Sequence, residues 1–546
     1  MLSTFSTALF ISALSLNMWA SETTSSTDLS SDEDIVPKKI FNASSVLIEA
    51  FDRNSLKNLR LTNELEVREL NFSKCFNYTS AVTKFLKKFC DFLSNNEGKF
   101  KKVKTLNFSN NPTETEENLK SLLDIIKKNM PSLKELNISH NKLKGNVSFS
   151  ILFNSLENKK ICLKYLDISN NGLGYTKNNT PQNTKNPFKN IESNSLLKAL
   201  NISGNKLDNE MTKELLTSIS KMNSVEILSI SNNKIDHNGA KYILEAINEK
   251  SKLTCLDVSN NNFGTQGAKH MADMLAKYPS LFALNLNDNN IGSEGAKHIS
   301  QAINEKSELM ILMLASNKID KKGVEDIGDL FKKNNTVKEL DLSSNNIGGD
   351  GLYGFLKNIH GSSLRALNIS NNNLENYGAL VFKNYLVEGK SNLAEVGIGK
   401  NNIDSTGIEY IAQGLEINVN NKLTALYLNG NKIGPQGAQY LSKIIKSTRL
   451  EELNVNLCEL GYKGARLIIN ATKGSGLKKL SMTNNRIGNK KIHSLQTFLE
   501  QCNHGSHNLK YLNVSNNFFV KDGLDESFKK NHPEYSNLEI ENKRKF

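Results

Sequence analysis

The side chains able to do chemistry are few and scattered. His270 and His298 stand 28 residues apart and could share a metal, but no carboxylate or third histidine joins them. A surface position repeated on two successive helices explains the pair more simply. Six cysteines in 546 residues do not make a disulfide framework. Cys75 and Cys90 either bridge after export or remain two buried thiols; Cys458 and Cys502 are weaker candidates for a bridge. No Ser or Cys sits in a nucleophile motif with its base, and there is neither a Gly-rich phosphate loop nor a metal-ligand cluster. The expectation is a non-enzyme with no cofactor. What remains is recognition chemistry, carried by charged and aromatic side chains that recur at a fixed period.

That period belongs to the elements which must position them. The chain reads L-T-C-L-D-V-S-N-N-N-F-G from Leu253, L-F-A-L-N-L-N-D-N-N-I-G from Leu281 and L-M-I-L-M-L-A-S-N-K-I-D from Leu309. Val225, Leu253, Leu281, Leu309 and Val337 step by 28 residues, the sign of stacked units rather than one globular core. In the unit from Leu281, Leu284 and Leu286 alternate with Ala283, Asn285 and Asn287, which predicts a strand over positions 3 to 7. Asn289, at position 9, falls where the chain must turn, and its amide can satisfy buried backbone groups there. Asn holds this position in every unit but two, where Cys75 and Cys458 replace it. Ala296, Ile299 and Ile303 then mark one face of an amphipathic helix. Parallel strands pair at about 4.8 Å, whereas helices pack no closer than about 8–10 Å. The mismatch predicts an α/β solenoid curved as a horseshoe, strands on the concave face and helices on the convex one.

These residues resemble the leucine-rich repeat superfamily, and the unit N-x-I-x-x-x-G-A resembles its ribonuclease-inhibitor-like class, over roughly residues 56–540. The class includes Ran GTPase-activating proteins and the sensor domains of NOD-like receptors. The resemblance implies a binding scaffold and says little of the partner. It also implies two alternatives. A GTPase activator would place its functional arginine at Arg60 or Arg68, but this chain ends Glu541-Asn-Lys-Arg-Lys-Phe where that family typically carries an acidic tail. A ribonuclease inhibitor would set an acidic floor against a basic ligand, but the cysteine-rich repeat pattern of that family is missing.

Residues 1–20 carry no charged side chain and contain an apolar run from Leu9, which reads as a secretory signal peptide closing at Ala20; a mildly apolar disordered leader is the alternative. Residues 21–39 form a flexible Ser/Thr/acidic leader, 40–66 an N-terminal cap with a helix near Ser45–Phe51, and 67–546 the repeats with a C-terminal cap. No stretch is long enough to span a membrane. Six of the N-x-S/T sequons, Asn71, Asn107, Asn137, Asn201, Asn368 and Asn513, share repeat position 5, so the repeat itself generates them.

Positions 3, 5 and 7 should form the floor of the concave face. Its acids are Glu69, Glu135, Asp167, Asp257, Glu339, Asp341, Glu395 and Glu452 against the single base Lys479, in a chain of net charge +13. Such a floor would steer a cationic protein or peptide. Alternatively its charge is paired with the basic rim at position 2, where Arg68, Lys104, Lys134, Lys164, Lys198, Lys338, Arg365, Lys478 and Lys510 stand. The middle of the floor turns apolar at Ile227, Cys255, Ala283, Ile311, Met313 and Ala315, which predicts an exposed contact patch, with Tyr427 a further aromatic contact beside Tyr165 and Tyr511. The Pro/Asn-rich stretch 174–187 is either a recognition loop or a tolerated insertion. Nucleic acid is disfavoured as a partner, because the lysines are scattered and lack aromatic interleaving. Together these features predict a secreted interaction scaffold, and in a microbe an effector acting on a host. Trp19 is the only tryptophan. Exported, cleaved protein should therefore show no indole fluorescence; an indole signal in exported material would exclude cleavage after Ala20.

Overall fold

The computed structural model describes residues 67–76, 78–96, 98–156, 163–174, 186–193, 196–247, 250–418, 420–488, 495–500, 502, 508–517 and 519, and the backbone of the strands Ile40–Asn42, Ser45–Glu49 and Glu539–Glu541. The expected signal peptide and acidic leader, Arg60, Trp19 and most of the stretch 174–187 lie outside the described residues.

Every repeat opens with a short strand because the apolar residues at positions 4 and 6 need an interior. Leu284 and Leu286 are both fully buried. After Val67–Asn71, hydrogen bonding confines each repeat's strand to positions 3 to 5, shorter than the alternation suggests. One compact unit lies within Thr23–Asn289. In it eight strands, from Val67–Asn71 to Ala283–Asn285, pair in parallel, position 3 facing position 3 throughout. The other unit covers Asn290–Phe546. Its strands run from Ile311–Met313 to Tyr511–Asn513 in the same register and end on Glu539–Glu541, again parallel. Helices alternate with the strands, as in Gly292–Ala302, where Ala296 and Ile299 are buried on the predicted face. Ile303, just past the end of that helix, is buried too.

Two local expectations change. Ser45–Glu49 is a strand, not a capping helix: it pairs antiparallel with Ile40–Asn42 and parallel with Val67–Asn71. Its alternating β-branched residues, Val46 and Ile48, favour an extended backbone. In the lengthened repeat from Leu163, a 3-10 turn, Lys189–Ser193, stands where other repeats have a helix. Phe188 fills the space, its ring 4.8 Å from Phe149 and 5.9 Å from Phe153.

The asparagine ladder forms as the spacing predicts. Asn401 is fully buried. Its Nδ2 donates to the carbonyls of Ile369 (3.0 Å) and Gly399 (3.1 Å). Its Oδ1 accepts from the backbone N–H groups of Asn372 (2.8 Å) and Leu374 (3.3 Å). One amide thus satisfies donors and acceptors of two repeats. Its own N–H in turn donates to Oδ1 of Asn431 at 2.9 Å. Cys458 holds the position with its thiol, which reaches the carbonyls of Leu428 and Asn456.

The residue before each ladder position takes a left-handed backbone, φ 52° at Lys400 and 55° at Asp288. Asn, Asp, Ser and Gly recur there because they tolerate that conformation best. Asn401→Ala removes both donors and the acceptor and leaves buried backbone groups unpaired. It should cost about 3–5 kcal/mol, read as a lower urea midpoint with circular dichroism as the probe.

Candidate functional site

The floor columns form in both units, since register places position 3 beside position 3. In the Asn290–Phe546 unit the column reads Glu339, Ala366, Glu395, Ala425, Glu452, Lys479 on successive strands. In the Thr23–Asn289 unit it reads Glu69, Thr105, Glu135, Tyr165, Ala199, Ile227, Cys255, Ala283.

The apolar positions are not exposed, contrary to expectation. Ile227, Cys255 and Ala283 are 4%, 1% and 0% exposed, and Ile311, Met313 and Ala315 are 4%, 0% and 7%. Side chains on strands about 4.8 Å apart cover one another's flanks, and short ones such as Cys255 and Ala283 sink below longer neighbours. Ile227, Cys255 and Ala283 lie in one unit and Ile311, Met313 and Ala315 in the other, so each group belongs to the packing of its own unit. Tyr427 is likewise only 9% exposed.

The acids stand differently. Glu339, Glu395 and Glu452 are half-buried, with the buried methyl groups of Ala366 and Ala425 between them. Burial pushes the Glu339 carboxyl above its ordinary range, and Glu395 pushes it further. Burial raises Glu395 as well; Glu452 adds to that, and Lys479 opposes it. The Tyr427 hydroxyl donates to Glu452 Oε1 at 3.0 Å, while Lys479 Nζ stands 3.2 Å from Glu452 Oε2. Burial, followed by Glu452 and Glu395, raises the Tyr427 hydroxyl too. Glu135 is raised by burial, an effect opposed by a 3.3 Å hydrogen bond from Thr105 Oγ1.

Three ion pairs on the strand face run along columns. Lys198 meets Glu226 and Lys478 meets Glu451, both at 2.7 Å and both rim to rim, while Lys479 meets Glu452 floor to floor.

A second function of position 5 escaped the sequence reading. Its side-chain oxygen accepts the backbone N–H two residues on: Asn137 from Ser139 at 2.9 Å, Asn368 from Ser370 at 3.1 Å, Asp341 from Ser343 at 2.9 Å. The N-x-S sequons at this position are therefore turn clamps, and their constant two-residue offset was the signal. Asp341 is 1% exposed, and burial raises its carboxyl to about 6 from an ordinary 3.8.

Cys75 is half-buried and Cys90 exposed rather than both buried, and no disulfide joins them; none joins Cys458 to Cys502 either, and both of those are buried. Burial lowers the pKa of His270. Among the described residues no group of three or more His, Cys, Asp or Glu could hold a metal, and no helix is long and apolar enough to cross a membrane.

A family model described as Leucine Rich repeat matches residues 129–146, 193–210, 249–272, 279–300, 333–356, 419–442 and 446–468. Comparison with curated proteins gives no match. Among solved structures, the chain is similar to an internalin (inlF) from Listeria monocytogenes, at 17% identity and TM-score 0.35, covering 72% of this chain and 88% of that one. It is also similar to TLR13 in its complex with ssRNA13, at 14% identity and TM-score 0.39, covering 87% of this chain and 65%, under two thirds, of that one. Neither likeness bears on what this chain binds.

The Asp341 geometry sets a pH dependence. Its folded pKa lies above its unfolded one, so the native state holds the proton more tightly. The resulting stability is present below about pH 4 and is lost as pH rises through about 6. Asp341→Asn keeps the acceptor for Ser343, as Asn368 does for Ser370. It should stabilise the protein by about 3 kcal/mol at pH 7.5 and by almost nothing near pH 4. Equal urea midpoints of variant and parent at pH 7.5 would contradict it.

Proposed function

Because the chain is a leucine-rich repeat protein, we propose that it is a secreted scaffold of the ribonuclease-inhibitor-like class that takes a basic peptide or protein segment against its strand face and does no chemistry on it. Repeat proteins of this kind act mainly as interaction scaffolds. Secretion enters through the uncharged apolar run in residues 1–20. Were the source a microbe, an effector acting on a host would be the natural role.

The observation that carries the reading is the alternation Glu339, Ala366, Glu395, Ala425, Glu452 on adjacent strands. Carboxylates two strands apart repeat at about 9.5 Å. Half-burial without enough counter-charge raises Glu339 and Glu395, and an incoming cation relieves that cost. A polyproline II segment rises about 3.1 Å per residue with three residues per turn. Lys or Arg at every third residue of such a segment therefore recurs at about 9.3 Å on one face, matching the carboxylates when the segment crosses the strands.

The test is titration of the full chain with a Lys-Pro-Pro repeat peptide and with a peptide of equal composition and shuffled spacing. The regular peptide should bind more tightly. Replacing Glu339, Glu395 and Glu452 together by Gln should weaken it at least about tenfold and flatten its salt dependence. Equal affinity for both peptides, or an unaffected triple variant, would sink the reading.

A further inference from the structure

The rim column of the Thr23–Asn289 unit makes a second surface, on a different edge from the floor. Backbone hydrogen bonds fix it: Lys104 N donates to Arg68 O, Lys134 N to Lys104 O, Lys164 N to Lys134 O and Lys198 N to Lys164 O, at 2.7–2.8 Å. Five cationic side chains thus leave successive strands at steps of about 4.8 Å. Arg68 and Lys104 are exposed, and Lys134, Lys164 and Lys198 are half-exposed. Like charges facing one another across neighbouring strands repel, and at the end of the row Lys198 also meets Glu226 at 2.7 Å. The turn before Thr105–Asn107 adds exposed Lys101 and Lys102, and the last turn of the helix before Glu135–Asn137 adds exposed Lys128.

Helix electrostatics account for part of this charge. Lys127 and Lys128 close the helix Glu116–Asn129, where cations suit the negative end of the helix dipole. The rim residues lie beyond that helix end, at the start of the strands, so the dipole does not explain them. Leu196, two residues before Lys198, is 47% exposed, an aliphatic tip beside the cationic row. The other unit has similar neighbours of its own: Val387 and Ile417 are exposed where helices end, and Lys390 and Lys422 follow within a few residues.

We propose that the rim edge Arg68–Lys198 docks on an anionic lipid surface. A planar layer of anionic headgroups attracts every cation of the row that lies within a Debye length of it. It also receives a shallow aliphatic side chain such as Leu196. Single-stranded nucleic acid is the competing polyanion and needs aromatic faces among the cations for its bases. The aromatic residue in the loop before Lys104, Phe100, is buried in the core, and Tyr165 belongs to the adjacent floor column.

The experiment is co-sedimentation of the full chain with phosphatidylcholine vesicles, with and without phosphatidylserine, across a salt series. A single-stranded oligonucleotide is titrated in parallel. Binding should require phosphatidylserine and weaken with salt. It should fall at least about tenfold when Lys104, Lys134 and Lys164 all become Glu, and about two- to threefold for Leu196→Ser. The same three positions changed to Gln give a gentler variant, with an unchanged urea midpoint as the check on folding. Equal binding to neutral vesicles, or indifference to both triple variants, overturns the proposal. So does oligonucleotide binding that the variants abolish while phosphatidylserine vesicles go unbound.

Discussion

The structure depends on one arrangement: a buried side-chain amide at each turn that closes hydrogen bonds for two repeats at once. A strand of three residues is too short to be stable alone, and the turn that follows it enters the interior with its backbone groups unpaired. The amide of Asn401 answers groups in its own repeat and in the one before, through four contacts of 2.8–3.3 Å. Each repeat is therefore incomplete without its neighbour, and stability becomes a property of the stack. That dependence also fixes register. Because the ladder permits a single alignment, position 3 meets position 3 and position 2 meets position 2 on every strand, and columns of like residues arise with no further instruction.

Columns are where a repeated fold acquires distinct surfaces. On a strand face, one substitution changes one square of a grid whose spacing the backbone sets. Glu-Ala-Glu-Ala-Glu becomes a carboxylate ruler of about 9.5 Å, and a run of basic residues one position earlier becomes a cationic edge. The first lies in the Asn290–Phe546 unit and the second in the Thr23–Asn289 unit, and their charges have opposite signs. On the strand face Lys198 pairs with Glu226 and Lys479 with Glu452, each within its column, because residues at equal positions are the ones that register brings side by side.

Periodicity made the fold legible, since ladder, strand and helix faces all follow from the type of residue at a fixed offset. Exposure was not legible. Alternation tells which way Met313 points but not how much its in-register neighbours cover it, and Met313 points to the strand face yet is fully buried. The clamp at position 5 was hidden for the opposite reason: N-x-S is so regular that it read as a by-product of the repeat, whereas each instance ties a turn. Ser45–Glu49 failed differently, as a terminal segment whose partner strand, Ile40–Asn42, lies outside the period.

Asp341 shows why a single departure from the period carries information. Half of the repeats place Asn at position 5, where a neutral amide supplies the acceptor at no electrostatic cost. Aspartate supplies the same acceptor to Ser343 but adds a buried charge whose carboxyl is held near 6. The clamp does not need that charge, since Asn368 on the next strand makes the same bond without it. That charge is one the fold does not need, one position along the chain from the core residue Leu340 and two from Glu339. It is tolerated because the ladder's stability is distributed over many repeats, so a cost at one position does not unfold the stack. The same distribution lets a regular fold carry locally unfavourable charge, on floor and rim alike, where a small globular core could not.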